Sequence, residues 1–308
     1  MASRVRLAVT LGDARGIGPE IAVAAARSVA PESHDLELVL VGCQDLVPDD
    51  LVCEHVPGTD MGSVTGRSIE IAVALALSGK VHGIVTGPIH KPSLQSAGFS
   101  FPGHTEMLKA LADVDEVGML MSAEATGLGG PLRVLLATTH LPLREVPSAV
   151  TALLIESQTR LLHEALKHEW GIPGPRIALC ALNPHASDDG LFGDEEALVM
   201  LPAVEALRAS GIDVSGPIPA DTVFVRTLGG EFDAIVAPYH DVGMAGFKTA
   251  SFGSGVNVTL GLPFVRTSPD HGTAFDLAGT GRADPSSMIE AVRVATRLAR
   301  ARFDRIGA

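Results

Sequence analysis

The sequence is poor in cysteine, in positive charge and in long apolar runs, and each shortage excludes a class of protein. Three cysteines, an odd number with no CxxC spacing, fit a reducing compartment and argue against a cysteine-bound metal. The formal net charge of -13 argues against nonspecific binding to nucleic acid, because an acidic protein gains nothing from releasing phosphate counterions. Neither an apolar run of about 18 residues nor a secretory signal is found. We therefore expect a cytoplasmic protein with no nucleic-acid or membrane partner.

Short apolar runs alternate with helical segments along the chain, which is typical of a mainly parallel sheet covered by helices. The predicted buried strands are residues 5–12, 36–42, 82–87, 133–139, 176–182 and 233–239. The predicted helices are residues 18–29, 68–78, 149–167, 195–210 and 287–302. A chain of 308 residues with 46% apolar content can form two cores, and the irregular segment 123–131 is the best candidate crossing between them. The pattern predicts an α/β protein with two domains.

Three histidines follow predicted strands. His140 comes after RVLLATT, His185 after RIALCAL and His240 after DAIVAPY. Ligands of open α/β sheets bind at the carboxyl ends of the strands, so these imidazoles can converge, and three imidazoles plus a water form a catalytic metal site. Asp241 can orient an imidazole from behind. The alternative is that the three histidines are unrelated, since histidine after a strand is common. The histidines interpreted as surface residues are His34, His55, His82, His163 and His168.

Two further groups of polar residues suit recognition of an anion. His104 and Thr105 lie in the segment GHTE, while Lys248, Asn257 and Arg266 follow at nine-residue intervals through a glycine-rich segment. Cations and amides on glycine-rich backbone suit a phosphate or a carboxylate, which arginine can bind through two parallel hydrogen bonds. The alternatives are a solvated lysine at position 248 and a buried ion pair at position 266.

The segment GDARGIGPE (12–20) follows a predicted strand and opens a predicted helix, as a dinucleotide-binding fingerprint does. Its glycines, Gly12, Gly16 and Gly18, do not have the GxGxxG spacing. A nicotinamide cofactor, if one is bound, therefore has to be held by a different loop.

Seven segments carry motifs that are specific in combination. They are TGPIHK (86–91), GHTE (103–106), TTHLPL (138–143), LNPHAS (182–187), GPIPADTVF (216–224), YHD (239–241) and VNVTLGLPFVRTSPDHGTAFDLAGTGRAD (256–284). Together they resemble the 4-hydroxythreonine-4-phosphate dehydrogenase family, PdxA, nearly end to end. The resemblance implies the fold of the isocitrate and isopropylmalate dehydrogenases, two α/β/α domains with a cleft between them. A first domain, 1–122 with 258–308, would contribute to cofactor binding, and a second, 123–257, would contribute metal ligands and the dimer interface.

The resemblance also implies roles for particular residues. Three histidines would bind a divalent metal, with the set completed across the interface of a homodimer: His140, His185 and His240. The substrate-binding residues would be His104, Thr105, Lys248, Asn257 and Arg266, and the candidate catalytic residues are Lys248 and Asp241. The loop that would hold the adenosine end of NAD or NADP contains His271, Gly272, Thr273, Ala274 and Asp276. Imidazole ligands favour zinc, while magnesium, manganese and cobalt stay open, and NAD is preferred to NADP.

The implied activity is oxidation of a hydroxyl group, followed by decarboxylation, with the nicotinamide as hydride acceptor and the metal as Lewis acid. The best candidate for the small anionic substrate is 4-phosphohydroxy-L-threonine; the alternatives are 4-phospho-D-threonate, 4-phospho-D-erythronate and a dihydrodiol dicarboxylate. Departures from the family pattern leave the substrate open, and Arg15 can serve a second carboxylate. These departures are Ala14, Arg15, Val242, Asp188 and Asp189.

A competing interpretation is a metal-dependent hydrolase or acyl-phosphate transferase on a similar scaffold, with the metal activating water. Such an enzyme would need a positioned nucleophile or general base beside the metal and no nicotinamide site. A noncatalytic relative would lack one or more of the candidate residues, whereas every candidate position is filled here. The loop 271–279 favours the dehydrogenase.

Overall fold

Eleven strands and ten α-helices alternate along residues 4–251 and 253–306, which are the residues that the computed structural model describes. The strands are β1 (Val5–Thr10), β2 (Leu36–Gly42), β3 (Cys53–His55), β4 (Gly83–Thr86), β5 (Gly118–Ala123), β6 (Leu132–Leu136), β7 (Ile177–Cys180), β8 (Val214–Ile218), β9 (Ala234–Ala237), β10 (Val256–Leu260) and β11 (Val265–Pro269). The α-helices are α1 (Gly18–Val29), α2 (Met61–Leu77), α3 (Lys91–Ser96), α4 (His104–Leu111), α5 (Val146–Ala149), α6 (Ala152–His168), α7 (Leu201–Ala209), α8 (Ala220–Leu228), α9 (His240–Ser251) and α10 (Ser286–Ile306).

These elements divide into two units. The first contains the chain up to Val117 together with the residues from Val256, and the second is Gly118–Gly255. The predicted domain limits, 122 and 257, lie a few residues beyond those of the units. Residues 1–3, 307 and 308 of the predicted first domain lie outside the described residues, and the predicted roles of both domains stay predictions.

In the first unit, six strands form a sheet in the order β3-β2-β1-β4-β11-β10. Neighbouring strands are parallel except β10 and β11, which are antiparallel. Helices α2 and α10 pack on this sheet, and α1 packs on α10. The inner strand β11 is buried along its whole length. It places Arg266 opposite Ile84 of β4 and Thr259 of β10.

The segment GDARGIGPE follows β1 and needs its glycines for close backbone packing. Gly12 has a φ of +72°, and a Cβ atom on it would lie 2.2 Å from the carbonyl oxygen of Pro88. A Cβ atom on Gly18 would lie 2.1 Å from the carbonyl oxygen of Leu11. No side chain fits at either distance, so Gly12 lets the loop lie directly on the backbone after β4, and Gly18 lets α1 begin against the backbone after β1.

In the second unit, five strands form a sheet in the order β5-β6-β9-β7-β8, with β5 antiparallel to β6 and the others parallel. Strand β9 lies between β6 and β7, and all three are fully buried because their side chains are almost all apolar. Since these strands run in the same direction, their carboxyl ends lie along one edge. His140, His240 and His185 follow β6, β9 and β7 at that edge.

The observed architecture confirms the predicted α/β class. All six predicted strands are present, whereas β3, β5, β8, β10 and β11 were not predicted. Among the residues that the structure covers, no helix is both long and apolar enough to cross a membrane.

Candidate active site

Two of the candidate histidines lie side by side in the second unit. The ring centroids of His140 and His240 are 5.4 Å apart, because the parallel pairing of β6 with β9 brings the loops after both strands together. Both imidazoles line a cavity of about 200 Å³, together with Thr139, Tyr239 and Asp241. Burial raises the pKa of Tyr239, with smaller contributions from Cys180 and Asp241, so the phenol stays neutral at physiological pH.

The chemistry of this pair fits a divalent cation. Nδ1 of His240 lies 2.7 Å from Oδ1 of Asp241. An ionised carboxylate has no proton to give, so the imidazole donates from Nδ1 and its Nε2 keeps a lone pair for a metal. Two imidazoles that share one zinc ion each have their ring centroid about 3 Å from it, which puts the centroids roughly 5 Å apart. The observed 5.4 Å agrees with that separation.

His185 lies in an exposed turn after β7, with its ring centroid 6.4 Å from that of Phe192. Within residues 4–251 and 253–306, no group of three or more His, Cys, Asp or Glu side chains is arranged to hold a metal ion. The structure therefore unites His140 with His240 but does not add His185 to them, and the assignment of all three as metal ligands stays a prediction.

The turn of His185 has an unusual backbone. Residues 185–189, none of them glycine, all have φ between 46° and 70°. A left-handed conformation costs on the order of 1 kcal/mol for each such residue, so the turn persists only because its surroundings hold it. The buried carboxylate of Glu196 accepts hydrogen bonds from Asn183 and Ser187. Burial alone would raise the pKa of Glu196, but these hydrogen bonds outweigh burial and lower it, so Glu196 is ionised at neutral pH.

Arg266 in the first unit is a buried cation with no carboxylate beside it. The residue is only 2% exposed, and burial lowers the pKa of its guanidinium to about 10. It donates to the hydroxyl oxygens of Thr259 at 2.9 Å and Thr86 at 2.6 Å, and its Nε is buried without a hydrogen-bond partner. Because desolvation of an unpaired charge is costly, this arrangement indicates a site for an anion. The alternative of a buried ion pair at this position is not found among the described residues.

Two further predicted substrate residues of this unit also have buried polar atoms without partners. They are Nε2 of His104, the first residue of α4, and Oδ1 of Asn257 in β10. Burial lowers the pKa of His104 well below its ordinary value of 6.5, and the charges of Arg266 and Lys91 lower it further. The imidazole is therefore neutral at pH 7. Thr105 follows it in the first turn of α4, half-buried.

Lys248 belongs to the second unit. It is exposed on α9, seven residues after Asp241, so the two residues share one face of that helix about two turns apart. The roles of Lys248 in substrate binding and catalysis, and of Asp241 in catalysis, stay predictions.

The loop predicted to hold the cofactor packs against the glycine loop of the first unit. The backbone N–H of Ile17 donates to the carbonyl oxygen of Thr273 at 2.9 Å, and a Cβ atom on Gly16 would lie 2.6 Å from the same oxygen. Nε2 of His271 is buried without a partner, and Ala274 has a φ of +41°. Gly272 and Asp276 are exposed. The binding role of these residues stays a prediction.

Comparison with known proteins identifies the family. The family described as "Pyridoxal phosphate biosynthetic protein PdxA" matches residues 21–295. This chain belongs to the PdxA family. The 4-hydroxythreonine-4-phosphate dehydrogenase of Chromobacterium violaceum is 44% identical, over 97% of this chain and 98% of its own length. The enzyme of the same name from Paracoccus denitrificans is 42% identical, over 94% and 97% respectively.

Solved structures agree with the PdxA assignment. The 4-hydroxythreonine-4-phosphate dehydrogenase of Klebsiella pneumoniae has a TM-score of 0.84 and 37% identity, over 96% of this chain and 100% of that one. A terephthalate 1,2-cis-dihydrodiol dehydrogenase of Burkholderia xenovorans has a TM-score of 0.68 and 25% identity, over 96% and 98%. An isocitrate dehydrogenase of Methylococcus capsulatus, 16% identical with a TM-score of 0.55 over 98% and 89%, shares the fold alone. The PdxA names support an oxidoreductase that acts on a hydroxyl group, and the predicted family and fold class are confirmed.

Within the PdxA family pattern, the departure at Arg15 has a clear structural setting. Its guanidinium makes two hydrogen bonds, of 2.9 and 2.7 Å, to Asp13, which is 1% exposed. It also donates to Ser93 and lies 5.6 Å from the centroid of the Phe275 ring. Asp188 and Asp189 are exposed, and Val242 is half-buried.

Three residues around the candidate sites were not predicted from the sequence: Asp13, Thr86 and Glu196. Thr86 stands in the motif TGPIHK, which was a signal that this position contributes to a site. Asp13 and Glu196 carried none, because a carboxylate in a glycine loop or at the start of a helix is usually solvated.

Proposed function

We propose that this protein is a dehydrogenase that oxidises a secondary alcohol of a phosphorylated hydroxy acid, with 4-phosphohydroxy-L-threonine as the best candidate, and that it serves pyridoxal phosphate biosynthesis. The observation that carries the proposal is Arg266, a buried guanidinium with free donor capacity and no carboxylate partner in the described residues. An anionic group of the substrate would supply the missing charge, and a planar guanidinium can bind it through two parallel hydrogen bonds.

The neighbours of Arg266 support a small polar anion. Asn257, Thr105 and the neutral imidazole of His104 offer donors and acceptors without a negative charge that would repel a phosphate or carboxylate. Lys248 would add a second cation and assist proton transfer. These side chains bind and orient the substrate, which is the larger part of what a dehydrogenase scaffold contributes.

A divalent cation is proposed at His140 and His240, with Asp241 holding the ring of His240. Zinc suits the imidazole ligands best, and magnesium, manganese or cobalt are the alternatives. When bound, the metal supplies Lewis-acid chemistry that favours loss of hydride from the carbon of a coordinated alcohol. Oxidation of a hydroxyl group on the carbon β to a carboxylate yields a β-keto acid, and loss of carbon dioxide is proposed to follow.

The third ligand is proposed to be His185 of a second copy, which makes the protein a homodimer. The loops that carry the histidines also expose apolar side chains: Leu141 is 43% exposed, Leu143 67%, Leu191 71% and Phe192 46%. Apolar residues clustered around incomplete polar sites mark a surface that a partner covers. Contact between two copies would bury these side chains and complete the ligand set.

The nicotinamide cofactor is proposed to bind at the loop 271–276. The proposed binding residues are His271, Gly272, Thr273, Ala274 and Asp276. Nδ1 of His271 donates to the carbonyl oxygen of Gly272, so its orphaned Nε2 offers an acceptor, and the exposed glycine beside it allows close backbone approach to a nucleotide. NAD is preferred to NADP.

A second candidate substrate is a dihydrodiol dicarboxylate, which Arg15 favours. Its side chain is 52% exposed, and Nη1 still has unused N–H groups after the guanidinium has bound Asp13 and Ser93. A second carboxylate of the substrate could accept from them. The phosphorylated sugar acids 4-phospho-D-threonate and 4-phospho-D-erythronate complete the set to be compared.

The test is an absorbance assay of nicotinamide reduction with each of these substrates, NAD or NADP, and added Zn²⁺, Mg²⁺, Mn²⁺ or Co²⁺. We expect turnover of 4-phosphohydroxy-L-threonine with NAD and much less of unphosphorylated 4-hydroxythreonine, which keeps its carboxylate but offers the anion cluster no phosphate. Preference for the dicarboxylate would select the second candidate. If none of the substrates is oxidised under any condition, the proposed function is wrong.

A further inference from the structure

One buried carboxylate, that of Glu196, holds the turn that carries His185. Its Oε1 accepts from the backbone N–H groups of Leu182 at 2.9 Å and Asn183 at 2.7 Å. Its Oε2 accepts from the side-chain amide of Asn183 at 2.9 Å and from the hydroxyl of Ser187. Glu196 is only 3% exposed. The carboxylate therefore ties the chain at the start of the turn to a residue in the middle of it.

The attachment to Ser187 lies at the centre of the left-handed residues 185–189. Ser187 is 3% exposed, whereas His185, Asp188 and Asp189 on either side are exposed. Backbone hydrogen bonds within the turn, such as that from Phe192 N to Ser187 O at 3.1 Å, are local and do not connect it to the rest of the unit. Ser187 is thus the inward contact of a turn whose conformation has to be imposed from outside.

Glu196 is well placed to impose that conformation. It is the first residue of a π-helical turn, Glu196–Met200, which continues directly into α7. Such turns are rare and are found frequently at functional sites, where they redirect side chains. Glu196 therefore belongs to a helix rather than to a second loop. Helix α7, into which this helical turn continues, packs against α6 and β8.

We propose that Glu196 is a positioning residue that sets the His185 turn in the conformation needed to bind a divalent cation. This inference rests on the proposed function, because it takes His185 as a metal ligand. Two nearby carboxylates offer contrasts. Within the part of the chain that the structure describes, Glu195 accepts from the side chain of Asn183 and has no hydrogen bond to the backbone or to Ser187, and Glu205 lies exposed on α7.

The test compares Glu196→Gln with the matched control Glu205→Gln, using Co²⁺ as the probe. Glutamine keeps the size of the side chain and one carbonyl acceptor, but its amide group faces the donor of Asn183. We expect Co²⁺ affinity to fall about 10- to 100-fold in Glu196→Gln, as changes behind a metal ligand usually cause, and the visible Co²⁺ spectrum to change. Hydrogen exchange of the backbone amides of residues 182–190 should be faster in the metal-free variant. Glu205→Gln should match the wild type in every measurement.

A purely structural role would lower stability without changing the metal site. For Glu196→Gln we therefore expect kcat at saturating Co²⁺ to recover towards the wild-type value while the Co²⁺ needed for half-saturation stays raised. Ser187→Ala removes only the attachment at the centre of the turn, and it decides the question if Glu196→Gln does not fold. Wild-type Co²⁺ affinity and wild-type exchange in the folded variants would overturn the inference.

His185→Ala separates this inference from the proposed function. If His185→Ala loses Co²⁺ while Glu196→Gln and Ser187→Ala bind it as the wild type does, His185 remains a ligand and only the positioning role of Glu196 is wrong. If His185→Ala binds Co²⁺ as tightly as the wild type, the metal assignment of the proposed function fails, and the inference fails with it.

Discussion

Two groups of candidate site residues differ in how complete they are within a single chain. The first cluster consists of Arg266, His104 and Asn257, and the second cluster consists of the three candidate metal histidines, His140, His185 and His240. In the first unit, Arg266 is buried and donates hydrogen bonds to threonines on two strands of the same sheet. In the second unit, His140 and His185 are exposed and lie on loops. In the first cluster, the atoms without hydrogen-bond partners are already buried: Nε of Arg266, Nε2 of His104 and Oδ1 of Asn257. On the proposed function, the second cluster would also need a covering partner, because exposed imidazoles bind a metal weakly until water is excluded and the ligand set is complete.

The difference shows at which step, folding or binding, the free energy of desolvating and ordering each cluster is lost. Desolvation of Arg266 is a cost of folding, so an anion that binds there as proposed would meet a site that needs little rearrangement. On the proposed function, ordering of the histidine loops would be a cost of metal binding and of association. We therefore expect substitutions in the first cluster to affect substrate binding and substitutions in the second to affect assembly and metal content.

The largest effect is expected from His240→Ala, which tests whether the exposed cluster is a metal site at all. Loss of metal removes several kcal/mol of transition-state stabilisation, which corresponds to a fall in kcat of about 1000-fold or more. Bound metal, measured by elemental analysis of the purified protein, should fall in parallel. His34→Ala, in an exposed position, is the control. Full turnover of His240→Ala in the presence of a chelator would show that the histidines have no metal to hold.

An intermediate effect is expected from Arg266→Met, which tests whether the first cluster binds an anion. Loss of a buried, hydrogen-bonded charge at a binding site costs about 2–5 kcal/mol, so kcat/KM should fall at least 30-fold, mainly through KM. The free energy of unfolding should not decrease, because the substitution removes an unpaired buried charge and keeps the apolar stem. Urea unfolding measures it. A variant that is much less stable yet binds substrate normally would make Arg266 a structural residue.

The smallest effect is expected in the pH dependence of stability, which tests the burial of His104. The unfolded chain takes up a proton at this residue as the pH falls through 6.5, whereas the folded protein does so only at lower pH. The unfolded state then binds more protons, so stability should be lost as the pH falls below 6.5, by up to about 1.4 kcal/mol per pH unit from this residue. Urea unfolding of the wild type and His104→Gln between pH 7.5 and 5.5 measures the difference. Equal slopes would mean that His104 titrates normally and is solvated.

The sequence was a good guide to features that depend on local pattern. The six strongly apolar runs are all inner strands of the sheets, because burial on both faces favours a continuous run of apolar residues. Strand ends could also be located, which is why His140 and His240 were expected at one edge and are found together. The family motifs indicated His104, Asn257 and Arg266 as binding residues. Position in the sequence alone had left two interpretations of Arg266 open, a binding site and a buried ion pair.

Features that depend on partners distant in sequence could not be predicted in this way. Strands β10 and β11 contain Asn257, Thr259, Arg266 and Ser268, whose polarity hides the strand pattern, and only the finished sheet shows that Arg266 meets Thr86 of β4. The left-handed turn after β7 was equally hidden, because non-glycine residues adopt that conformation only when the surrounding structure holds them there.

Strand β11 also has a consequence for the order in which the protein is made. It lies between β4 and β10 and carries Arg266, yet it follows the whole second unit along the chain. During synthesis, the continuous residues 118–255 can fold before the first unit has its inner strand, since domains fold as units while the chain emerges. If Arg266 binds the substrate anion as proposed, a nascent chain would not bind it until β11 is inserted, which happens only after the whole second unit has been made.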